Sequence, residues 1–225
     1  MPIVLDTQRL PAACLFDLDG LLLDTEPLHG RAWAAAAAHF GGSLSDDELL
    51  QLRGRRRQDC AEHVNERLPK PVGTEALLAV QQPIVRQLLV KANAMPAADD
   101  LIRLCHREKI PMALVTSSSE ESVRFKSGPH PWLGLIEVRI YGDDPELIAG
   151  KPDPAPFLLA ARRLQVDPHQ CWALEDSKAG TAAAQAAGCR VWVLDRSDGC
   201  DPLDADPCHI SSLATVLNSL ISTNG

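Results

Sequence analysis

The stretch CLFDLDGLLLDTEPLH, residues 14–29, decides how the rest of the chain is interpreted. It begins as an apolar run of strand length and continues into Asp17, Asp19 and Asp24, with no lysine or arginine among them. Side chains two residues apart in a strand lie on the same side, so Asp17 and Asp19 can reach one site. Carboxylates held that close repel each other unless a divalent cation binds them or one stays protonated. The stretch therefore predicts a buried strand that ends at a metal-binding or acid–base site.

Apolar runs of strand length recur along the chain, with helical patterns between most of them. The runs occupy residues 12–16, 110–115, 136–140, 171–174 and 190–194. Continuous apolar strands that alternate with helices are typical of a parallel sheet covered on both faces. We therefore predict an α/β fold with a Rossmann-like parallel sheet. The Asp-, Pro- and Gly-rich segment 195–209 is interpreted as a surface loop before a last helix near 211–222.

Residues 25–95 differ from the rest because they contain helical patterns and no strand pattern. A capping box at residues 45–48 marks one helix start, and Pro83 is expected to kink or break the last helix of the segment. About 70 residues is too long for a crossover and long enough for a small helical domain. We expect a catalytic core of residues 1–24 and 96–225, and a helical cap of residues 25–95 over the carboxyl edge of the sheet, where ligands bind in such folds.

Composition narrows the choice of partners and compartment. The 225 residues include 30 acids and 22 bases, a formal net charge of −8, which disfavours nucleic acid and anionic membranes as partners. Seven cysteines without C-x-x-C spacing are typical of reduced thiols rather than a zinc site. The N-terminal stretch lacks a basic region followed by an apolar one, and no apolar run approaches ~18 residues, so we expect neither a signal peptide nor a membrane span. We expect a cytoplasmic protein that is a monomer, with a dimer as the alternative.

Polar side chains that suit a phosphate or a metal ion follow the later strands: Thr116, Ser117, Ser118, Lys151, Glu175 and Asp176. The three hydroxyl residues suit phosphate oxygens, and the lysine before a proline suits a phosphate or an aspartate nucleophile. The second acidic pair adds oxygen ligands of the kind that Mg2+ prefers. Carboxyl ends of parallel strands meet at one edge, so the sequence predicts a phosphoryl site there.

Together, DLDGLLLDTEPLH, Thr116 after an apolar strand, KPDP and LEDSKAG resemble the four motifs of the haloacid dehalogenase-like superfamily of phosphotransferases. The closest likeness is to the subgroup with a helical cap inserted after the first motif. The resemblance implies a Rossmann-like core and Mg2+-dependent chemistry through an aspartyl-phosphate. It implies that Asp17 is the nucleophile and that Asp19 protonates the leaving oxygen and later activates water. Thr116 and Lys151 would bind the transferring phosphoryl group.

The same resemblance implies a metal site and a reaction class. Asp17, the backbone carbonyl of Asp19, and Asp176 would hold Mg2+, with Glu175 assisting. Asp19 must be protonated at neutral pH, so its pKa would have to rise well above about 3.9. The dehalogenases of the superfamily lack this second acid, so carbon–halogen cleavage is disfavoured.

The helical cap is expected to recognise the part of the substrate beyond the phosphate. LRGRRRQD, residues 52–59, places Arg53 and Arg57 between two helices as candidate contacts; a solvated basic helix start is the alternative. His29 resembles the hinge-side histidine of β-phosphoglucomutase, with a structural helix residue as the alternative.

We therefore expect a Mg2+-dependent phosphatase that acts on a small phosphorylated metabolite, a sugar or polyol phosphate. The first alternative is an isomerase like β-phosphoglucomutase. Glu120 disfavours it, because a carboxylate there would repel a second phosphate. The other alternative is a non-catalytic binding protein, which the complete set of carboxylates, hydroxyl and lysine argues against.

Overall fold

The computed structural model describes residues 10–52, 57–195 and 207–223. Within those ranges the strands are Ala13–Phe16 (β1), Met112–Val115 (β2), Val138–Ile140 (β3), Cys171–Glu175 (β4), Arg190–Leu194 (β5) and Cys208–Ile210 (β6). The helices are Glu26–His39 (α1), Asp46–Gln51 (α2), Arg57–Asn65 (α3), Thr74–Leu89 (α4), Ala98–Arg107 (α5), Glu120–Ser127 (α6), Ala155–Leu164 (α7), Lys178–Ala186 (α8) and Leu213–Thr223 (α9). Short 3-10 helices occupy Pro131–Leu135 and Pro168–Gln170. No helix in these ranges is both long and apolar enough to cross a membrane.

The strands form one sheet in the order β3-β2-β1-β4-β5-β6, and every pairing is parallel. The predicted Rossmann-like parallel sheet is confirmed. The chain moves outward in one direction from β1 to β3 and in the other from β4 to β6, so the order reverses between β1 and β4. Open parallel sheets bind ligands beside the carboxyl ends of the strands at such a reversal. The first and second acidic pairs follow the two strands that flank it.

The sheet is apolar on both faces, which explains the continuous apolar runs in the sequence. Every residue of β1, β2, β4 and β5 is buried. On one face, Leu15, Val115 and Ala173 belong to a core cluster with Phe157 of α7 and Ala183 of α8. Burial of alternate residues on opposite faces needs helices on both sides of the sheet.

Two predicted features at the sheet edges were wrong. The segment interpreted as a loop over residues 195–209 ends in a sixth strand, because Cys208–Ile210 pairs with β5. Three residues are too few for a strand pattern, so the edge of β5 decides this structure. Residues 196–206 lie outside the described residues. The predicted strand 136–140 begins at Val138, because the Ile136 amide still donates to the Leu133 carbonyl and caps the 3-10 helix Pro131–Leu135.

The described residues divide into two compact units. One contains the residues up to Leu23, Ala94–Val123 and those from His130 onward; the other contains Asp24–Asn93 and Arg124–Pro129. The second unit has its own apolar core, which includes Trp33, Val64 and Leu77. Its role as a cap stays a prediction.

Two local predictions for the second unit can be compared with its helices. Ser45 and Glu48 form the predicted capping box at the start of α2. Pro83 lies inside α4 and does not break it. The buried face of α4, which includes Leu77 and Val85 on either side of the proline, stabilises the helix by packing against α1 despite the lost hydrogen bond.

Candidate active site

Lys151 lies between the ends of the two strands at which the order of the sheet reverses. Its Nζ donates hydrogen bonds to Asp17 Oδ1 and Glu175 Oε1, each at 2.5 Å, and to the Val115 carbonyl at 2.8 Å. The side chain of Lys151 is 5% exposed and that of Glu175 is 0% exposed. The Phe157 ring lies 5.4 Å from the ammonium. One buried ammonium therefore balances two carboxylates from different strands.

The backbone of the sheet fixes the positions of both carboxylates. The Asp17 amide donates to the Leu174 carbonyl at 3.0 Å, which continues the pairing of β1 with β4 one residue past β1. Glu175 is the last residue of β4. Hydrogen bonds between strands hold the backbone of both residues. The two carboxylates therefore lie close together on rigid parts of the sheet rather than on loops.

Burial dominates the electrostatics of the cluster. It raises the pKa of Asp17 to about 7, with the charges of Glu175 and Asp19 acting in the same direction and that of Lys151 in the opposite one. Burial also disfavours the charged form of Lys151, but the two adjacent carboxylates outweigh it and raise the lysine pKa above its ordinary value. A bound cation would favour the ionised form of Asp17.

The residues present fit a hard cation. Carboxylate oxygens of Asp17, Glu175 and Asp176 lie within 4.8 Å of one another. Gly20, with φ of +87°, leaves the space that Asp176 occupies, since a Cβ there would lie 1.9 Å from Asp176 Oδ2. A set of carboxylate oxygens suits Mg2+ or Ca2+ rather than a softer metal.

Glu175 contacts both Lys151 and Ser177, in addition to its predicted contact with a metal ion. Its Oε1 accepts from Lys151, and its Oε2 accepts from the Ser177 hydroxyl at 3.0 Å. A Cβ at Gly180 would lie 2.0 Å from this carboxylate, so α8 can start this close to it only with a glycine. Glu175 therefore holds Lys151 in place, while its role as a metal ligand stays a prediction.

The hydroxyl residues after β2 do not all face the same partner. Thr116 is buried; its amide donates to the Ile140 carbonyl at 3.0 Å, and its Oγ1 accepts from the Ser118 amide at 3.1 Å. The Ser118 hydroxyl donates to Asp19 Oδ2 at 2.8 Å. Ser117 is exposed. The structure thus brings Thr116, Ser118 and Asp19 together.

The candidate substrate contacts of the helical segment lie in the second unit. His29 is half-buried in α1, and Arg57 is the exposed first residue of α3. Arg53 lies outside the described residues. The roles of these three residues stay predictions.

Sequence reasoning missed two groups that hold the cluster together. Ser177 caps α8 by accepting from the Gly180 amide at 3.0 Å and also donates to Glu175. A serine directly before a helical pattern is a recognisable cap signal, although nothing in the sequence indicates the second contact. The Val115 carbonyl, which accepts from Lys151, has no sequence signal because any residue type supplies it.

Comparison with known proteins points to one family. A family model for haloacid dehalogenase-like hydrolases matches residues 11–188. A Drosophila melanogaster protein named "Probable pseudouridine-5'-phosphatase" is 35% identical over 79% of this chain and 79% of its own. The fructose-1-phosphate phosphatase of Escherichia coli strain K12 is 33% identical over 79% of this chain and 93% of its own. The solved structure of CbbY from Rhodobacter sphaeroides in complex with phosphate has a TM-score of 0.73 and 27% identity, covering 94% of this chain and all of that one (100%).

Proposed function

This chain belongs to the haloacid dehalogenase-like hydrolases, and we propose that within this family it is a Mg2+-dependent phosphatase of a small sugar or polyol phosphate. The observation that carries the proposal is the buried contact of Lys151 with Asp17 and Glu175 at the reversal of strand order. Burying three charged groups costs free energy, so their retention at a ligand-binding edge favours a chemical role. The phosphatase names of the relatives support the same class of reaction.

The proposed reaction has two steps that use the same residues. An Asp17 carboxylate oxygen attacks phosphorus, the ester P–O bond breaks, and the leaving alkoxide takes a proton from Asp19. Water then gives a proton to Asp19 and attacks the phosphorus of the aspartyl-phosphate, which releases inorganic phosphate and restores both carboxyl groups. Lys151 orients Asp17 and balances charge on the phosphoryl oxygens, and Thr116 donates a hydrogen bond to that group. Positioning and charge supply most of the rate enhancement in such reactions.

Asp17, Asp176 and the backbone carbonyl of Asp19 are the proposed ligands of Mg2+, with Glu175 assisting. When bound, Mg2+ supplies positive charge that reduces the repulsion between the phosphoryl group and the attacking carboxylate.

The start of α6 favours a phosphatase over a mutase. A mutase must also bind a second phosphate, and a helix start is a common place for one. Here the Asp143 carboxylate accepts from the Glu120 amide at 2.9 Å, next to the exposed side chain of Glu120. Two carboxylates at this helix start would repel a phosphate, so we propose that the substrate carries a single phosphate.

We propose that the second unit serves as the cap, and that His29 and Arg57 contact the non-phosphate part of the substrate, with Arg53 beside them in sequence. The second unit begins at Asp24, in the segment that follows β1, and this place in the chain supports the proposal. The monomeric state and the cytoplasmic compartment remain predictions.

A substrate screen tests the proposal. The purified protein is incubated with Mg2+ and a panel of sugar and polyol monophosphates, and both released phosphate and isomerised ester are measured. We expect phosphate release that EDTA abolishes, and no conversion of a hexose 1-phosphate to the 6-phosphate in the presence of a bisphosphate primer. Isomerisation without net hydrolysis would support the mutase, and inactivity toward the whole panel would contradict both.

A further inference from the structure

The Ser118 hydroxyl contacts Asp19, the proposed general acid. Its Oγ donates to Asp19 Oδ2 at 2.8 Å, across 99 residues of sequence. From its place after β2, Ser118 was predicted to contact the substrate phosphate. We infer instead, on the basis of the proposed function, that Ser118 is a positioning residue that holds the Asp19 carboxyl group in the orientation needed for proton transfer.

Two hydrogen bonds hold the backbone of Ser118, and they fix the position from which its side chain extends. The Ser118 amide donates to Thr116 Oγ1 at 3.1 Å, and the Ser118 carbonyl accepts from the Gly142 amide at 2.9 Å. Gly142 packs tightly here, since a Cβ at that position would lie 2.2 Å from the Ser117 carbonyl oxygen. The segment after β2 is therefore anchored to the end of β3 as well as to Thr116.

Asp19 lies beyond the regular part of β1, so strand pairing does little to fix its side chain and the contact with Ser118 can do so. It is half-buried in the turn that leaves the strand, and its backbone pairing is a single bridge to Leu23. A carboxyl group on a turn can rotate about its side-chain bonds, and proton transfer requires one orientation. A donor on Oδ2 restricts that rotation and directs the proton of the acid form to Oδ1.

The expected signature of this role is a dependence on the leaving group. An alkyl phosphate such as glycerol phosphate releases an alkoxide that needs a proton, whereas p-nitrophenyl phosphate releases a phenolate that departs without one. For Ser118→Ala we expect kcat/KM to fall about 10- to 100-fold with the alkyl ester and no more than about 3-fold with the aryl ester. Loss of a direct phosphate contact would lower both values equally, because the two esters share the same phosphoryl group.

The measurement compares the alkyl-to-aryl ratio of kcat/KM in five proteins: the wild type, Ser118→Ala, Ser118→Cys, Ser118→Thr and Ser119→Ala. The cysteine variant keeps nearly the same volume with a weak donor, so we expect the same loss of ratio even if the alanine variant folds poorly. The threonine variant keeps the hydroxyl and should restore the ratio. Ser119, whose hydroxyl accepts from the Ser122 amide at the start of α6, provides the matched control, and its variant should keep the wild-type ratio.

The outcomes separate this inference from the proposed function. The alkyl ester is the best substrate of the sugar and polyol phosphate panel, and a wild-type protein without Mg2+-dependent phosphatase activity on the whole panel would overturn the proposed function. An active wild type whose ratio stays unchanged in both the alanine and cysteine variants would overturn the role of Ser118 alone. A selective loss with the alkyl ester, restored by threonine, supports the inference.

Discussion

Two clusters in the same unit use the same charge pattern, one base between two acids, in different surroundings. The buried cluster comprises Lys151, Asp17 and Glu175, whose side chains are at most 10% exposed. The loop cluster comprises Arg163 of α7 with Asp144 and Glu146 from the segment after β3. Its arginine contacts Asp144 at 2.7 Å and Glu146 at 2.7 Å. Its exposure is graded, because the Asp144 side chain is 5% exposed, that of Arg163 29% and that of Glu146 54%.

The difference in burial gives the two clusters different free-energy costs of formation. Removing charges from water costs several kcal/mol per ion, and pairing offsets that cost incompletely, so the buried cluster is a poor means of stabilising the fold. The loop cluster costs less to form, because solvent still reaches Arg163 and Glu146 although Asp144 is buried. It anchors to α7 the segment that continues, five residues after Glu146, into Lys151.

Replacing the proposed nucleophile should produce the largest effect. Asp17→Asn keeps the shape of the side chain but cannot form an aspartyl-phosphate, so Mg2+-dependent phosphate release should fall at least about 10⁴-fold. The denaturation midpoint should not decrease, because one buried carboxylate has been neutralised and Lys151 keeps Glu175. Phosphate release within tenfold of wild type would exclude Asp17 as the nucleophile.

Removing the base of each cluster compares the two directly. Lys151→Met leaves two buried carboxylates without their counterion, so the free energy of unfolding at neutral pH should fall by about 3–5 kcal/mol and phosphate release by about 10³-fold. The matched variant Arg163→Met should cost about 1–2 kcal/mol and keep most of the activity. Urea denaturation and phosphate release are measured on both. Equal losses of stability would show that burial does not distinguish the clusters.

The free energy of unfolding at acidic pH should depend on Asp144. Hydrogen bonds from Arg163 lower the pKa of Asp144 below its ordinary value of 3.8. A carboxyl group whose pKa is lower in the folded state adds stability above the unfolded pKa and loses it as the pH falls through the folded value. Asp144→Asn should therefore be less stable than wild type by about 1–2 kcal/mol near pH 7, and the two should converge as the pH drops below 3.8. A difference independent of pH would indicate packing rather than charge.

The smallest effect is expected at the exposed end of the loop cluster. Glu146→Gln removes an acid that pairs with Arg162 and Arg163 in solvent, so the free energy of unfolding should change by less than about 0.5 kcal/mol. The change should shrink further at high salt, because screening weakens exposed pairs. Thermal denaturation at low and high salt provides the measurement, and a loss above about 1 kcal/mol would mean that this pair is more than a surface contact.

Strands could be predicted from the sequence where a whole segment consists of side chains that prefer burial. Runs such as Ala13–Phe16 and Met112–Val115 are apolar throughout because both of their faces are buried, so they were recognisable as strands. Cys208–Ile210 was missed because its structure depends on an edge that β5 provides. The contact of Ser118 with Asp19 could not be predicted, since a serine hydroxyl suits a phosphate and a carboxylate equally well. The predicted contact of Ser118 with the substrate stays a prediction.

By itself, the sequence determined the kind of sheet, the four chemical segments and their order along the chain, because local apolar patterns and acid or lysine side chains are properties of short stretches. The tertiary structure alone decided which of these groups touch. Lys151 bridges Asp17 and Glu175 because β1 and β4 are neighbours in the sheet although more than 150 residues apart, and Ser118 meets Asp19 because β2 lies on the other side of β1. Contacts between residues distant in sequence follow from strand order and burial, which no local pattern encodes.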